Sequence, residues 1–136
     1  MFGMSKTFLR CRECKKEYDP TFKYICDECF GPLDVHYNFP SITKDIFTNR
    51  EQTYWRYFEL LPIIDKSNIV SINAGMTPLV KAEKLGKKIG LNNLYIKNDS
   101  VNPTFSFKDR PAGVAISKAK EFGLSSVGCA STGNLA

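Results

Sequence analysis

Two groups of residues in this sequence have the types and the spacing that chemistry needs. Four cysteines, at positions 11, 14, 26 and 29, form two Cys-x-x-Cys pairs with eleven residues between the pairs. Thiolates spaced in this way can bind a metal ion tetrahedrally. The second group surrounds Lys108, which follows a serine and a phenylalanine and precedes an aspartate and an arginine. A lysine amine that has lost its proton can attack the carbon of an aldehyde.

The cysteine pairs predict a zinc site with Cys11, Cys14, Cys26 and Cys29 as ligands. Each pair fits a tight turn that turns both sulfurs inward, and Gly31 suits the backbone of the second turn. Two disulfides, or a module that has lost its metal, are the alternatives, but disulfides are rare in the cytosol. About thirty residues bury too little surface to fold without such a staple. The sequence therefore predicts a structural zinc ribbon.

Lys108 is predicted to lie where a strand gives way to a helix. Residues 94–97 form a short β-prone run, and an Asn-Pro turn signal follows them. Residues 111–122 then have alanines and a phenylalanine at helical spacing, and Gly123 is placed to end the helix.

The first residue of this helix is left open by the sequence. Ser106 and Asp109 have the spacing of a capping box, which starts the helix at residue 107, whereas Pro111 is favoured at a first helical position. In either register the helix dipole and partial burial disfavour an ammonium at Lys108, which makes its amine a better nucleophile. From spacing alone, a surface lysine at the start of a basic helix is the alternative.

A second motif lies downstream of Lys108. Residues 131–134 read Ser-Thr-Gly-Asn and follow the apolar run 126–130, in which Cys129 is predicted to be a small buried side chain. Residues 102–110 read Asn-Pro-Thr-Phe-Ser-Phe-Lys-Asp-Arg. In this order the two motifs resemble the fold-type II pyridoxal-phosphate enzymes, the tryptophan-synthase-β-like family. Two motifs together are far more specific than either alone.

The resemblance implies a role for each residue of the two motifs. In that family the lysine that matches Lys108 carries pyridoxal 5'-phosphate covalently. The asparagine that matches Asn134 lies against the ring oxygen of the cofactor. The substrate carboxylate is held by the hydroxyls and backbone amides that match Ser131, Thr132 and Gly133.

Other segments narrow the resemblance to one branch of the family. Residues 55–57, Trp-Arg-Tyr, and residues 75–79, Gly-Met-Thr-Pro-Leu, resemble members that convert O-phosphohomoserine and water into threonine and phosphate. This implies a pyridoxal-phosphate-dependent lyase acting on an amino-acid phosphate ester. Two departures are visible: residues 73–75 are Asn-Ala-Gly where many members have Gly-Glu-Gly, and Phe105 stands where many have glycine or leucine.

Alternative functions follow from the same residues. Relatives that use O-phosphoserine and sulfite share much of this region, and serine/threonine dehydratases and cysteine synthases share the lysine and asparagine motifs. A nucleic-acid-binding zinc module is the non-enzymatic alternative. It is disfavoured because residues 1–36 hold six basic and six acidic side chains, so the module carries no positive excess.

The phosphate group of the expected substrate needs a basic side chain to bind it as it leaves. The net charge of +5 lies entirely in residues 81–136, which hold nine basic against four acidic side chains. A phosphate that leaves needs donors for its developing charge. Arg110 is one candidate for binding this phosphate. The expected role, however, is an ion pair with its neighbour Asp109.

The predicted architecture is α/β with three parts: residues 1–38 form a zinc-ribbon-like module, residues 39–72 a helical linker, and residues 73–136 the start of a three-layer parallel-sheet catalytic fold. In the linker, apolar side chains at helical intervals predict one helix over residues 44–61, with its aromatic stripe in the core.

Length and composition complete the expectations. The 136 residues, 43% of them hydrophobic, suffice for one modest core. Neither an apolar run long enough for a membrane span nor a secretory leader is seen, so a cytoplasmic protein is expected. Ala136 falls in the first turn of an expected helix, which predicts an N-terminal piece of a longer enzyme that is inactive alone and can form a homodimer at full length.

Overall fold

The computed structural model describes residues 7–39 and 42–133. The chain begins with a three-stranded antiparallel sheet in which the first strand lies in the middle. Its strands are β1 (Thr7–Cys11), β2 (Glu17–Tyr18) and β3 (Leu33–Tyr37). We call residues 7–37 the cysteine module.

Alternation along β1 decides which side of the module is interior. Thr7, Leu9 and Cys11 are buried, and the residues between them are only half-buried. Side chains of successive strand residues point to opposite faces, so this pattern gives the small sheet one packed face. Leu9 pairs with Tyr18 on one side and Val35 on the other, which centres it in the module.

The linker is not the single helix that the sequence predicts over residues 44–61; that prediction is wrong. Its helical pieces are α1 (Asp45–Thr48) and two 3-10 helices, Tyr54–Leu60 and Lys66–Asn68. Between the first two pieces the backbone becomes extended at Thr53, with φ −123° and ψ 162°. Arg50 bridges the break, because its guanidinium donates to the Arg56 carbonyl at 2.6 Å and binds both carboxylate oxygens of Glu59.

The linker nevertheless supplies the main apolar core, as its aromatic stripe predicts. The buried residues of this core are Tyr54, Trp55, Phe58, Ile63 and Ala74. Val114 packs against the cluster from the last helix of the chain. Burial of a large apolar side chain contributes about 1.5–3 kcal/mol, so this cluster is what holds the linker to the segment that follows.

Residues 73–133, which we call the lysine segment, hold two short strands and two helices. They are β4 (Leu79–Lys81), α2 (Glu83–Ile89), β5 (Tyr95–Lys97) and α3 (Asp109–Glu121). The pairing of β4 with β5 is antiparallel. The mixture of helix and sheet agrees with the α/β class, while the parallel sheet remains a prediction.

The long helix α3 presents different faces to the core and to an open groove. Gly113 and Ser117 are buried on the core side. The predicted apolar stripe, which contains Ala112, Ala115, Ala119 and Phe122, instead lines the groove. Gly123, with φ 72°, ends the helix as the sequence predicts. Within residues 7–39 and 42–133 no helix is long and apolar enough to cross a membrane.

Candidate functional site

The four cysteines of the module converge on one point. Their sulfur atoms all lie within 4.8 Å of one another, with Cys11 Sγ 3.4 Å from Cys29 Sγ and Cys14 Sγ 3.5 Å from Cys26 Sγ. All four are free thiols rather than disulfides. The sequence-predicted ligands therefore form a single cluster.

Two equivalent turns produce this convergence. In the first, the Cys11 amide donates to the Lys16 carbonyl, and in the second the Cys26 amide donates to the Gly31 carbonyl, both at 2.9 Å. The residue after the second cysteine of each pair is left-handed, with φ 65° at Lys15 and 58° at Phe30. The strained position is thus Phe30 rather than the neighbouring glycine.

Gly31 is required for a different reason, which is close approach. A Cβ atom at this position would lie 2.9 Å from Glu13 Cγ and 3.1 Å from Cys11 Sγ. Contacts this short force a neighbour to move, so a side chain here would push the two cysteine turns apart. The sequence predicted a glycine-dependent turn here because of backbone freedom. The structure shows that the glycine matters because of the space that it leaves.

Hydrogen bonds favour ionisation of one thiol in particular. Tyr18 Oη lies 3.0 Å from Cys26 Sγ, and the Glu28 amide donates to the same sulfur at 3.4 Å. Burial raises the pKa of Cys26, but these donors outweigh it and lower the pKa to about 6. At Cys14 the Lys16 amide lowers the pKa, yet burial and the neighbouring thiols raise it to about 12.

The cluster has the dimensions of a tetrahedral metal site. Zinc–sulfur bonds of about 2.3 Å place the sulfurs of a regular tetrahedron roughly 3.8 Å apart. The observed separations, from 3.4 Å to within 4.8 Å, bracket this value. Four thiols that approach so closely without disulfide bonds also repel once ionised, and a dication removes that repulsion. The donor set therefore fits a soft divalent metal.

Lys108 lies directly before α3, as predicted, in the N-cap position of the helix. Its side chain is half-buried, and its Nζ atom lies 5.0 Å from the centroid of the Phe107 ring. It borders an open cleft of about 740 Å³, which we call the lysine groove. Apolar side chains of α3 and of residues 124–127 make up much of the wall.

The turn before α3 is held by the carboxylate of Asp109. This carboxylate accepts the Thr104 amide at 2.9 Å and the Thr104 hydroxyl at 2.5 Å. Ser106 Oγ accepts the Lys108 amide at 3.2 Å, one residue earlier than a capping box requires. The helix consequently begins at Asp109, between the two registers that the sequence left open, and Pro111 falls in its first turn without losing a backbone bond.

Arg110 has a structural partner, but not the predicted one. Its guanidinium binds the Asp99 carboxylate at 2.5 and 2.8 Å and donates to the Gly75 carbonyl at 2.7 Å. The predicted pairing with Asp109 is wrong, because that carboxylate is already occupied by Thr104. Arg110 thereby ties the start of α3 to a segment 35 residues earlier in the chain.

The Asp99 carboxylate is the centre of this network. It also accepts the Thr77 hydroxyl at 2.7 Å. The hydrogen bonds from Arg110 and then from Thr77 lower the pKa of Asp99 to about 2. Asn102, almost wholly buried, accepts the Gly75 amide at 3.0 Å and donates to the Asp99 carbonyl at 3.0 Å.

Sequence reasoning assigned no role to Asp99 and used Asn102 only as a turn signal and as the first residue of the lysine motif. One available signal was the acidic residue two positions after Lys97. Another was an asparagine before proline, whose amide can bond to nearby backbone. Neither signal gives the partner, since the contacts to Gly75 and Thr77 span more than twenty residues.

The loop that begins at Ser131 is seen only in part. Ser131 Oγ accepts the Gly133 amide at 3.1 Å, and Thr132 is exposed. Asn134 lies outside the described residues, so its role stays a prediction. Cys129, two residues before the loop, is exposed and lines the lysine groove together with Lys108. The prediction that Cys129 is buried is therefore wrong.

The sequence of the lysine segment matches a known family. Residues 70–136 match the family described as "Pyridoxal-phosphate dependent enzyme". Over these residues the chain is similar to the pyridoxal-phosphate-dependent enzymes. The family resemblance indicated by the lysine and asparagine motifs is thereby confirmed.

Curated relatives extend the similarity over the cysteine module. The chain is 45% identical to threonine synthase of Methanocaldococcus jannaschii over 92% of its own length and 32% of that relative. It is 43% identical to threonine synthase of Methanosarcina acetivorans over 93% of its length and 31% of that relative. A threonine synthase of Synechocystis sp. is 48% identical over 61% of the chain.

The chain thus spans about a third of the length of the first two relatives. No solved structure gives a significant match.

Proposed function

We propose that the full-length protein is a threonine synthase, a lyase that converts O-phosphohomoserine and water into threonine and phosphate. The observation that carries this proposal is the similarity to two threonine synthases, which covers 92% and 93% of the chain. The match to the pyridoxal-phosphate-dependent enzymes supports the reaction class.

The surroundings of Lys108 fit a pyridoxal cofactor. The amine lies at the edge of a largely apolar cleft beside a helix N-terminus, which suits an aromatic ring and a reactive amine. When bound there, pyridoxal phosphate supplies an electron sink that makes the α-hydrogen of an amino acid acidic. Lys108 would accept this proton and later return one.

The loop after the groove is proposed to hold the substrate. Ser131 and Thr132 would donate their hydroxyls to the α-carboxylate, and Asn134 would fix the plane of the cofactor ring. Gly133 would add a backbone amide once Ser131 Oγ, which accepts that amide in the free loop, turns to the carboxylate. Arg110 is left out of phosphate binding, since its guanidinium is already bound to Asp99 and Gly75.

We further propose that Cys11, Cys14, Cys26 and Cys29 bind one structural Zn²⁺. The converging thiols and the matching turns support a closed four-sulfur site rather than a catalytic one with an open position. Protein purified without chelator should contain about one equivalent of zinc. A fully oxidised chain with two disulfides and no metal would contradict the proposal.

The substrate is tested with full-length protein, loaded with pyridoxal phosphate. O-Phosphohomoserine should yield threonine and phosphate in equal amounts. O-Phosphoserine should be tried with and without sulfite, because cysteate from that pair, with the first substrate inert, would assign the protein to the sulfite-using relatives instead.

The lysine is tested by borohydride reduction and peptide mapping. The pyridoxyl group should be found on Lys108, and Lys108→Ala should abolish it and lower the turnover at least about 10³-fold. Lys118→Ala is the matched control, because Lys118 lines the same groove but is engaged by Glu121 at 2.5 Å. A pyridoxyl group on Lys97 or Lys118 would refute the assignment.

A further inference from the structure

The cysteine module lies directly against the helix that follows Lys108. The ring of Phe22, in the loop between β2 and the second cysteine turn, meets the ring of Phe122 edge-on, with centroids 5.6 Å apart. A small cavity of about 260 Å³ continues this contact. Its walls come from the module at Leu9 and Val35 and from the rest of the chain at Pro62 and Phe122.

Phe22 also belongs to the wall of the lysine groove. The groove that Lys108 borders is lined by Phe22, by Pro111 and Ala115 of α3, and by Leu124 just beyond the helix. One aromatic side chain of the module therefore contacts the residue that ends α3 and lines the same cleft that Lys108 borders. The module is an adjacent part of this cleft rather than a remote appendage.

The position of Phe22 depends on the cysteine turns. Its neighbour Lys23 forms an ion pair with Asp27, and its Nζ atom lies 4.7 Å from the centroid of the Tyr18 ring. Tyr18 Oη in turn contacts Cys26 Sγ at 3.0 Å and accepts the Asp27 amide at 3.1 Å. One anchor of the Phe22 loop, Asp27, thus lies on the second cysteine turn, and the other, Tyr18 of β2, is hydrogen-bonded to that turn.

We propose that Phe22 is a positioning residue through which the metal-bound module holds α3 and shapes the lysine groove. A dication on Cys26 fixes the second cysteine turn and its hydrogen bonds to Tyr18, Asp27 and Tyr18 fix Lys23, and Lys23 holds Phe22 against Phe122. Without the contact, the last turn of α3 loses an aromatic neighbour and the groove loses one wall. The consequence for cofactor binding rests on the proposed function of Lys108; the contact with the helix does not.

Hydrogen exchange on the metal-loaded, full-length protein tests the first part. The reporters are the amides that close α3, Phe122 to the Lys118 carbonyl and Leu124 to the Ala119 carbonyl, each at 3.0 Å. Phe22→Ala should speed their exchange about two- to tenfold, the range expected for loss of one aromatic pair. Phe22→Leu, which keeps apolar bulk, should recover part of the protection.

Phe30→Ala is the matched control. Phe30 is an exposed phenylalanine of the same module that lines neither of the two cavities shared with α3. It should leave the α3 amides unchanged. Equal exchange in Phe22→Ala and Phe30→Ala, with about one zinc in each, would overturn the proposal. Loss of zinc from both Phe22 variants would overturn it too, because Phe22 would then serve the folding of the module itself.

The second part is measured as the affinity of Lys108 for pyridoxal phosphate, by borohydride trapping at increasing cofactor concentration. Phe22→Ala should weaken trapping about two- to tenfold, and Phe30→Ala should match the wild type. Wild-type protein that traps no cofactor at Lys108 would refute the proposed function, whereas the exchange comparison would still decide the contact between Phe22 and α3.

Discussion

The cysteine module and the lysine segment are stabilised in opposite ways. In the module, short-range turns bring four sulfurs together, and few residues besides Leu9, Cys11 and Cys26 are buried. In the lysine segment, side chains such as Arg110 and Asn102 bond to backbone groups 27 or more residues away. We therefore expect the module to depend on the proposed metal ion, whereas the lysine segment depends on long-range hydrogen bonds and on packing against the linker.

Metal removal should separate the two regions most sharply. Cys26→Ser, or a strong chelator, should unfold residues 7–37. In small modules the apparent free energy of zinc binding, roughly 10–16 kcal/mol at pH 7, is what stabilises the folded state. The core-side amides of α3 should remain protected from hydrogen exchange. Cys129→Ser is the control and should keep its zinc. Simultaneous loss of protection in both regions would show that they form one cooperative unit.

In the lysine segment the largest effect should come from Gly113→Ala. An added Cβ would collide with the hydroxyl oxygen of Tyr54. The ring itself would not be in the way, because Tyr54 Cζ would lie 3.4 Å from the new atom, an ordinary contact distance. The substitution should cost about 1–3 kcal/mol of unfolding free energy through overpacking. Zinc content should not change.

The same geometry predicts a rescue of that substitution. Tyr54 Oη is buried and has no hydrogen-bond partner among the described residues, and burial raises the pKa of Tyr54 to about 12, so the hydroxyl is neutral. Tyr54→Phe removes the colliding atom and should restore most of the stability lost in Gly113→Ala. Denaturant unfolding of both single variants and the double variant measures the coupling; additive effects would contradict it.

Acidification should affect the cysteine module first and the lysine segment at lower pH. Binding of metal requires thiolates, so the proposed zinc should leave the module first as protons return to the cysteines. The pKa of Asp99 is lowered from 3.8 to about 2 in the folded state, so its bonds to Arg110 and Thr77 stabilise fully above about pH 4 and are lost as the pH falls towards 2. The hydrogen-exchange rates of the Gly75 and Thr77 amides should rise over this pH range. Asp99→Asn should remove the pH dependence of these two rates.

The smallest predicted effect lies in the backbone of the module. Phe30 has φ 58°, a left-handed conformation that costs a non-glycine residue roughly 1–2 kcal/mol. Phe30→Gly should stabilise the zinc-bound module by about 0.5–1 kcal/mol after the added freedom of the unfolded chain is subtracted. Phe30→Ala keeps the Cβ and should give no gain, which separates backbone strain from loss of the ring. Equal stability of the two variants would show that strain is not relieved.

The local features of this protein were predictable because they depend on neighbours in sequence. The two Cys-x-x-Cys turns, the position of Lys108 before a helix and the end of that helix at Gly123 all follow from spacing within a few residues. The aromatic stripe of the linker was rightly placed in the core. Its continuity as one helix was not, because the Arg50 bonds to Arg56 and Glu59 stabilise a break that periodicity cannot show.

The sequence by itself predicted the cluster of four cysteines, the position of Lys108 before a helix and the family, because each depends on short motifs. Only the tertiary structure decided that Arg110 pairs with Asp99, that Cys129 is exposed, and that Phe22 of the cysteine module borders the lysine groove. The physical reason is that hydrogen bonds and packing join residues that are close in space whatever their separation along the chain. A motif states which groups are present, and the fold decides which of them meet.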